Sequence, residues 1–275
     1  MSTVSEETDA YVLGTDQREL DRLRQQHEAW VGEAQSLLER AGLRSGQTVL
    51  DLGCGPGSTT VQLARVVGPQ GQVIARDVSP GYIAHLRSEL ERLGIDHVRP
   101  SLGPVEELQL ADGSLDAAYS RWLFCWLPDA AAVLSAVARA LRPGGVMICQ
   151  EYFNWASMKL VPRDGAHDRV VAACMASWQD SGTTIDIAEQ LPTLAAQCGL
   201  TVEYAAPVAR LGRPGSLVWT WLSEFYDSYL PRVVERGLLD EDTRLACLDE
   251  LQRRQRENLG FIAAPTMLDL VLRKA

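Results

Sequence analysis

What the chain lacks narrows the field first. It has no stretch of eighteen uninterrupted apolar residues among its 275, so no membrane-spanning helix is expected. It has no excess of positive charge: 26 Lys and Arg stand against 36 Asp and Glu, a formal net charge of −10. Such a surface repels a phosphate backbone, which makes nucleic acid a poor default partner. The six cysteines (54, 125, 149, 174, 198, 247) form no CxxC pair. Several sit inside apolar runs, so buried reduced thiols are expected, and neither disulfides nor a metal site. The start, Met1 to Ala10, is polar and acidic and lacks the basic-then-apolar pattern of a secretory signal. The expected location is therefore cytoplasmic. No internal repeat or low-complexity segment stands out.

What is present is an alternation of periods. Apolar residues from Leu20 through Trp30, Leu37, Leu38 and Ala41 have helical spacing, and Gly42 stops the run. A short strand follows at 48–52 and a helix at 58–67. A strand at 72–77 leads to a helix at 80–93, with Ser79 as cap and Pro80 in the first helical position. Strands at 97–102, 115–120 and 146–152 flank an alanine-rich helix at 129–141, with a turn at 142–145. Strands alternating with helices imply an α/β fold, doubly wound around a mostly parallel sheet. Beyond Phe153 the spacing predicts helices at 165–180 and 186–198 and a strand at 200–204. A helical segment at 216–258 carries Trp219, Trp221, Phe225, Tyr226 and Tyr229, and 267–272 reads as a last strand. The organisation expected is an N-terminal helical lead-in, 1–41, and one domain, 42–275. A helical insertion at about 214–259 either caps a ligand site or packs on the sheet edge.

The strongest local feature is Val49-Leu50-Asp51-Leu52-Gly53-Cys54-Gly55-Pro56-Gly57. A strand runs into three glycines and then a helix, so the backbone can turn sharply and approach a ligand at a helix N-terminus. Open α/β sheets bind ligands at this end of their strands. Asp51 could orient the loop or meet an ammonium group. Asp77, twenty residues after Gly57, can take both hydroxyls of a ribose, or else cap the helix that follows. These two features alone also fit a nicotinamide-dependent oxidoreductase. The glycine spacing separates the two. Dinucleotide enzymes use GxGxxG, whereas here the third glycine comes one residue early and Ser58 takes its place. An acid before the loop would repel a pyrophosphate and suit an amino-acid ammonium.

Residues 49–57 resemble motif I of the class I (Rossmann-like) S-adenosylmethionine-dependent methyltransferases. Val73–Pro80 resembles the next strand with its ribose-binding acid. Asp112-Gly113-Ser114-Leu115-Asp116, running to Ser120-Arg121-Trp122, resembles the fourth-strand motif, and Leu141–Gly145 the turn before strand five. The resemblance implies a seven-stranded sheet with an antiparallel last strand and S-adenosyl-L-methionine as cofactor. It places Gly53 and Gly55 on the methionine part, Asp77 on the ribose and Val78 on the adenine. Pro104 stands where many relatives carry an acid, so the Val105 amide becomes the adenine contact. Arg76 stands where relatives commonly have a small or apolar residue. Tyr11-Val12-Leu13-Gly14 with Glu19, Arg22 and Leu23 resembles the lead-in of some bacterial small-molecule members. There Tyr11 would close over the cofactor, or staple the first helix.

The cofactor-binding set expected is therefore Tyr11, Asp51, Gly53, Gly55, Asp77, Val78, Pro104, Val105, Ser120 and Arg121. Trp126, Glu151 and Tyr152 are expected in the acceptor pocket, and no metal is expected. No general base is singled out, and His27 and Asp186 are further candidates for one. No [Asn/Asp/Ser]-Pro-Pro-aromatic segment follows strand four, as it does in methylases of amino groups on bases or amide side chains. With the acidic charge, that favours a small-molecule acceptor methylated on oxygen, nitrogen or carbon, in a monomer or homodimer. The alternatives are another enzyme of the same fold, of aminopropyl transferase or cyclase type, and a cofactor-binding regulatory protein.

Overall fold

The structure is a computed structural model that describes residues 17–275; Tyr11 and its neighbours lie outside the described residues. Helix α1 (Gln17–Arg40) ends where Gly42 turns with φ 74°. Then come β1 (Thr48–Leu52), α2 (Ser58–Val67), β2 (Gln72–Asp77), α3 (Pro80–Leu93) and β3 (Val98–Leu102). β4 (Leu115–Arg121), α4 (Ala130–Ala140) and β5 (Leu141–Asn154) complete the alternating half. The rest comprises β6 (Lys159–Val161), α5 (Gly165–Asp180), α6 (Leu191–Gln197), β7 (Leu200–Val208), β8 (Leu211–Gly212), α7 (Leu217–Glu235), α8 (Glu241–Glu257), β9 (Phe261–Ala263) and β10 (Thr266–Lys274).

Seven strands form one sheet in the order β3-β2-β1-β4-β5-β10-β7, in which β10 runs antiparallel to both neighbours and the other pairs are parallel. Successive residues of the inner strands feed opposite cores. Leu50, Ala118, Met147 and Cys149 face one cluster, while Val49, Ala117, Val146 and Ile148 face the other. A strand buried on both faces must be apolar throughout, which is why these runs show no period-two polarity. Strand order reverses between β1 and β4, and there the loops after the two strands diverge and leave a crevice.

Short polar residues start the helices. Ser79, Asp129, Asp164, Ser216 and Asp240 each accept a hydrogen bond from a backbone N–H three residues on, satisfying donors the helix cannot use. The 186–198 segment is not one helix. A 3-10 turn at Ile187–Glu189 precedes α6, because Pro192 fits only a helix's first turn. The 216–258 segment breaks into α7 and α8 at Gly237, φ 71°. The turn expected at 142–145 lies within β5, where register with β4 jumps between Leu115↔Leu141 and Ala117↔Val146. Not anticipated at all is a second sheet, β6-β9-β8, whose strands of two or three residues are too short to show a period.

Among the described residues no helix is long and apolar enough to cross a membrane, and no cluster of His, Cys, Asp and Glu could hold a metal ion. The six cysteines are free thiols, five of them buried.

Candidate functional site

The three glycines of the loop after β1 all take positive φ, 63° at Gly53, 53° at Gly55 and 96° at Gly57, and they do different work. A Cβ on Gly53 would lie 2.8 Å from Leu123 Cδ1, and one on Gly57 2.3 Å from Leu86 Cδ1, so both positions are closed by packing. A Cβ on Gly55 would meet nothing within 4 Å, and Gly55 lines the principal cavity. The bare approach is at Gly55.

Asp77 ends β2 beside this loop. Its Oδ2 accepts from the Gly55 N–H at 2.8 Å and its Oδ1 from Ser79 N–H at 2.9 Å. Burial raises its pKa while these hydrogen bonds pull it back. The cap of α3 is Ser79, not Asp77. Asp51 is almost wholly buried, and its Oδ2 accepts from Thr60 Oγ1 at 2.6 Å. Desolvation pushes its carboxyl up to about 7, opposed by Thr60 and Arg121. Arg76 has a role that the sequence did not disclose. It donates to the carbonyls of Leu102 at 2.8 Å and Pro104 at 3.2 Å. Its Nη2 occupies the place where a Cβ on Gly103 would fall, at 2.4 Å. Arg76 thereby fixes the loop that presents Pro104 and Val105 to the cavity beside Val78.

Arg121 leaves the end of β4, and its Nη2 lies 3.1 Å from His27 Nδ1 and 3.2 Å from Thr59 Oγ1. A guanidinium only donates, so His27 Nδ1 accepts and the ring is neutral with its proton on Nε2. Burial, then the Arg121 charge, lowers the His27 pKa to about 4. Arg121 Nη1 is buried with no partner among the described residues. From α1, Arg22 and Leu23 also line the cavity, with Arg22 paired to Glu19 at 2.6 Å.

Three expected residues do not line the cavity. Ser120 is fully buried and its Oγ donates to Glu151 Oε1 at 2.9 Å. Glu151, expected in the acceptor pocket, is equally buried and lies behind the wall; Oε1 also accepts from Leu123 N–H at 3.0 Å and Phe124 N–H at 3.2 Å. Its pKa is pushed up to about 7 by burial. It anchors the loop after β4, and that loop supplies cavity wall. Asp186 Oδ1 accepts from Trp155 N–H at 2.9 Å, which positions an aromatic side chain, and Asp186 itself does not line the cavity.

The remaining wall is aromatic, around a cavity of about 370 Å³. Trp122, a non-glycine residue at φ 54°, stacks between Tyr152 and Trp221, with centroids 5.8 Å apart in each pair. Its indole N–H donates to Met267 Sδ at 2.9 Å, and the Arg121 guanidinium lies over its ring at 4.9 Å. Trp155 meets Trp178 edge-on at 4.5 Å, and Trp178 and Phe225 both stack on Tyr229. Trp126 and Tyr152, expected in the acceptor pocket, are on this wall. Trp155, Trp178 and Ile185 were not foreseen. Trp221, Phe225 and Tyr229 could have been, since their spacing of four puts them on one face of a helix.

Residues 49–145 match the family described as "Methyltransferase domain". The demethylmenaquinone methyltransferase of Bacillus cytotoxicus is 32% identical over 127 residues, 46% of this chain and 52% of that one. This chain thus spans about half the length of the curated methyltransferases it matches. Among solved structures, geranyl diphosphate methyltransferase in complex with SAM superposes with a TM-score of 0.57 at 17% identity, covering 94% of this chain and 90% of that chain. The [4+2]-cyclase SpnF superposes at 0.56 and 20% identity, covering 87% and 79%. The matched segment holds the glycine loop, Asp77 and β4, and these solved structures share the fold. The chain carries that fold with its strand-end cavity intact.

Proposed function

We propose that this protein is an S-adenosylmethionine-dependent methyltransferase acting on a small-molecule acceptor. The observation that carries the reading is the Asp77 carboxylate at the cavity edge, hydrogen-bonded to the bare Gly55. The Asp77 oxygens accept from the Gly55 and Ser79 N–H groups and keep lone pairs for ribose hydroxyls. Val78, Pro104 and Val105 would flank the adenine. The unpartnered Nη1 of Arg121 fits a carboxylate, and Asp51, costly to ionise where it is, fits an ammonium. Tyr11, placed over the cofactor by the motif alone, completes the proposed set. When bound, S-adenosylmethionine supplies a methyl group already activated by a sulfonium.

What the chain's own residues must do is align and exclude water. Glu151 holds the loop bearing Trp122 and Trp126 in place. The face of α7 bearing Trp221, Phe225 and Tyr229 covers the cavity, which favours the cap reading of the insertion over edge packing. Oxygen, nitrogen and carbon acceptors all fit this arrangement. The net charge of −10 supports a soluble enzyme without a nucleic-acid partner.

A cyclase on the same scaffold is the second reading. It is favoured by the uncharged character of the aromatic wall, which offers no carboxylate or imidazole to take a proton from an acceptor. Mass spectrometry of the purified protein, denatured without dialysis, tests the cofactor claim, and S-adenosylmethionine or S-adenosylhomocysteine should be released. Products 14 mass units heavier than their substrates support methyl transfer, and unchanged mass with altered retention supports cyclisation.

A further inference from the structure

The cavity is divided by charge. Its charged lining residues fall on α1, at the ends of β1, β2 and β4, and in the loop after β3, while no lining residue from Tyr152 onward is charged. A carboxylate or phosphate in the second part would lose its water and find no cation there, only the unpartnered indole N–H groups of Trp155 and Trp178. A fixed cation would gain from the indole faces, but it would sit beside a cationic methyl donor. The walls are flat rings with parallel stacking at Trp178 and Tyr229, 5.5 Å and 19°.

One hydroxyl on this wall has a defined polarity. Ser177 of α5 is fully buried, and its Oγ donates its only proton to the Cys174 carbonyl at 2.7 Å. The Tyr229 hydroxyl lies 2.7 Å from the same Oγ, so Tyr229 is the donor of that pair. The serine is held in turn by Arg236, which donates to its carbonyl at 2.9 Å. The Tyr229 proton is therefore spent, and its oxygen keeps lone pairs for an incoming donor. Burial raises the acidity threshold of Tyr229 above its ordinary value, so it stays a phenol.

We infer that the acceptor is a neutral, flat apolar ring system carrying an O–H or N–H group, and that the Tyr229 oxygen receives that hydrogen bond. The inference rests on the reading above only in taking the aromatic part of the cavity as the acceptor site. Tyr229 is thus a specificity-determining residue with no part in proton transfer.

Equilibrium dialysis tests it with four probes of one ring size: 2-naphthol, 2-methoxynaphthalene, 2-naphthoate and the (2-naphthyl)trimethylammonium ion. Each is dialysed against the protein with and without saturating S-adenosylhomocysteine. The naphthol should bind about fivefold tighter than its methyl ether, which has the same ring and no donor. The two charged probes should bind weaker than the naphthol by about tenfold or more. In Tyr229→Phe, whose fold is checked by circular dichroism, naphthol should fall to the level of the ether, while the ether stays within about twofold of its wild-type value. The inference is overturned if either charged probe matches the naphthol, if naphthol and ether bind alike to the wild type, or if their gap survives in Tyr229→Phe. Failure of S-adenosylhomocysteine to bind counts against the cofactor reading instead, and the ranking of the four probes still decides this one.

Discussion

At the residue scale, Asp51 and the glycines make separable demands. Asp51 has a carboxyl raised to about 7, and an ammonium seated beside it would pull that value down. Cofactor binding then releases a proton below pH 7. Affinity for S-adenosylmethionine should accordingly weaken as pH falls from 7 toward 5. Calorimetric titrations across that range should show this slope in the wild type and lose it in Asp51→Asn. Equal slopes in the two proteins would remove Asp51 from the cofactor site. The two loop glycines should separate in a different way. Gly57→Ala drives a methyl into buried Leu86 at 2.3 Å in a left-handed backbone, and should cost stability by about 1–3 kcal/mol in chemical denaturation. Gly55→Ala meets no protein atom, so it should lose more cofactor affinity than stability. Asp51, the glycines and Asp77 were legible in the sequence because they lie within one strand-loop-helix unit and its neighbour. Arg76 was not, since its meaning depends on carbonyls 26 and 28 residues away.

At the level of elements, the alternating half was readable because its strands and helices have different periods and capping residues mark the helix starts. The second sheet and the division of the cavity wall were not. They depend on contacts such as Trp30 edge-on to both Trp122 and Trp221, which join α1, the loop after β4 and α7. Glu151 illustrates the limit. Its position at the end of β5 suggested the acceptor pocket, whereas its burial makes it the anchor of the loop after β4. A carboxyl whose folded value is raised from 4.5 to about 7 supports the fold below pH 4.5, and this support is lost as pH rises toward 7. Glu151→Gln does not ionise, so its stability relative to wild type should improve with rising pH. Between pH 5 and pH 8 the change should be on the order of 2 kcal/mol. Urea denaturation at the two pH values measures it, and a pH-independent difference would show that Glu151 is ionised throughout.

On the scale of the whole molecule, the sheet places its reversal of strand order between β1 and β4, and the cavity opens at that point. The polar groups that fit a charged cofactor come from the first half of the chain. The aromatic wall comes mostly from the second, which the family match at 49–145 does not cover. On the proposed function, the cofactor site falls mostly in the matched segment and the acceptor site mostly outside it. The central claim is that the cavity takes S-adenosylmethionine, and isothermal titration of wild type and Asp77→Ala with that cofactor and with NAD tests it most directly. Wild type should bind S-adenosylmethionine and not NAD, and Asp77→Ala should weaken that binding by about 1.5–3 kcal/mol with the fold retained. Binding of NAD in its place, or an affinity for S-adenosylmethionine unchanged by Asp77→Ala, would contradict the account.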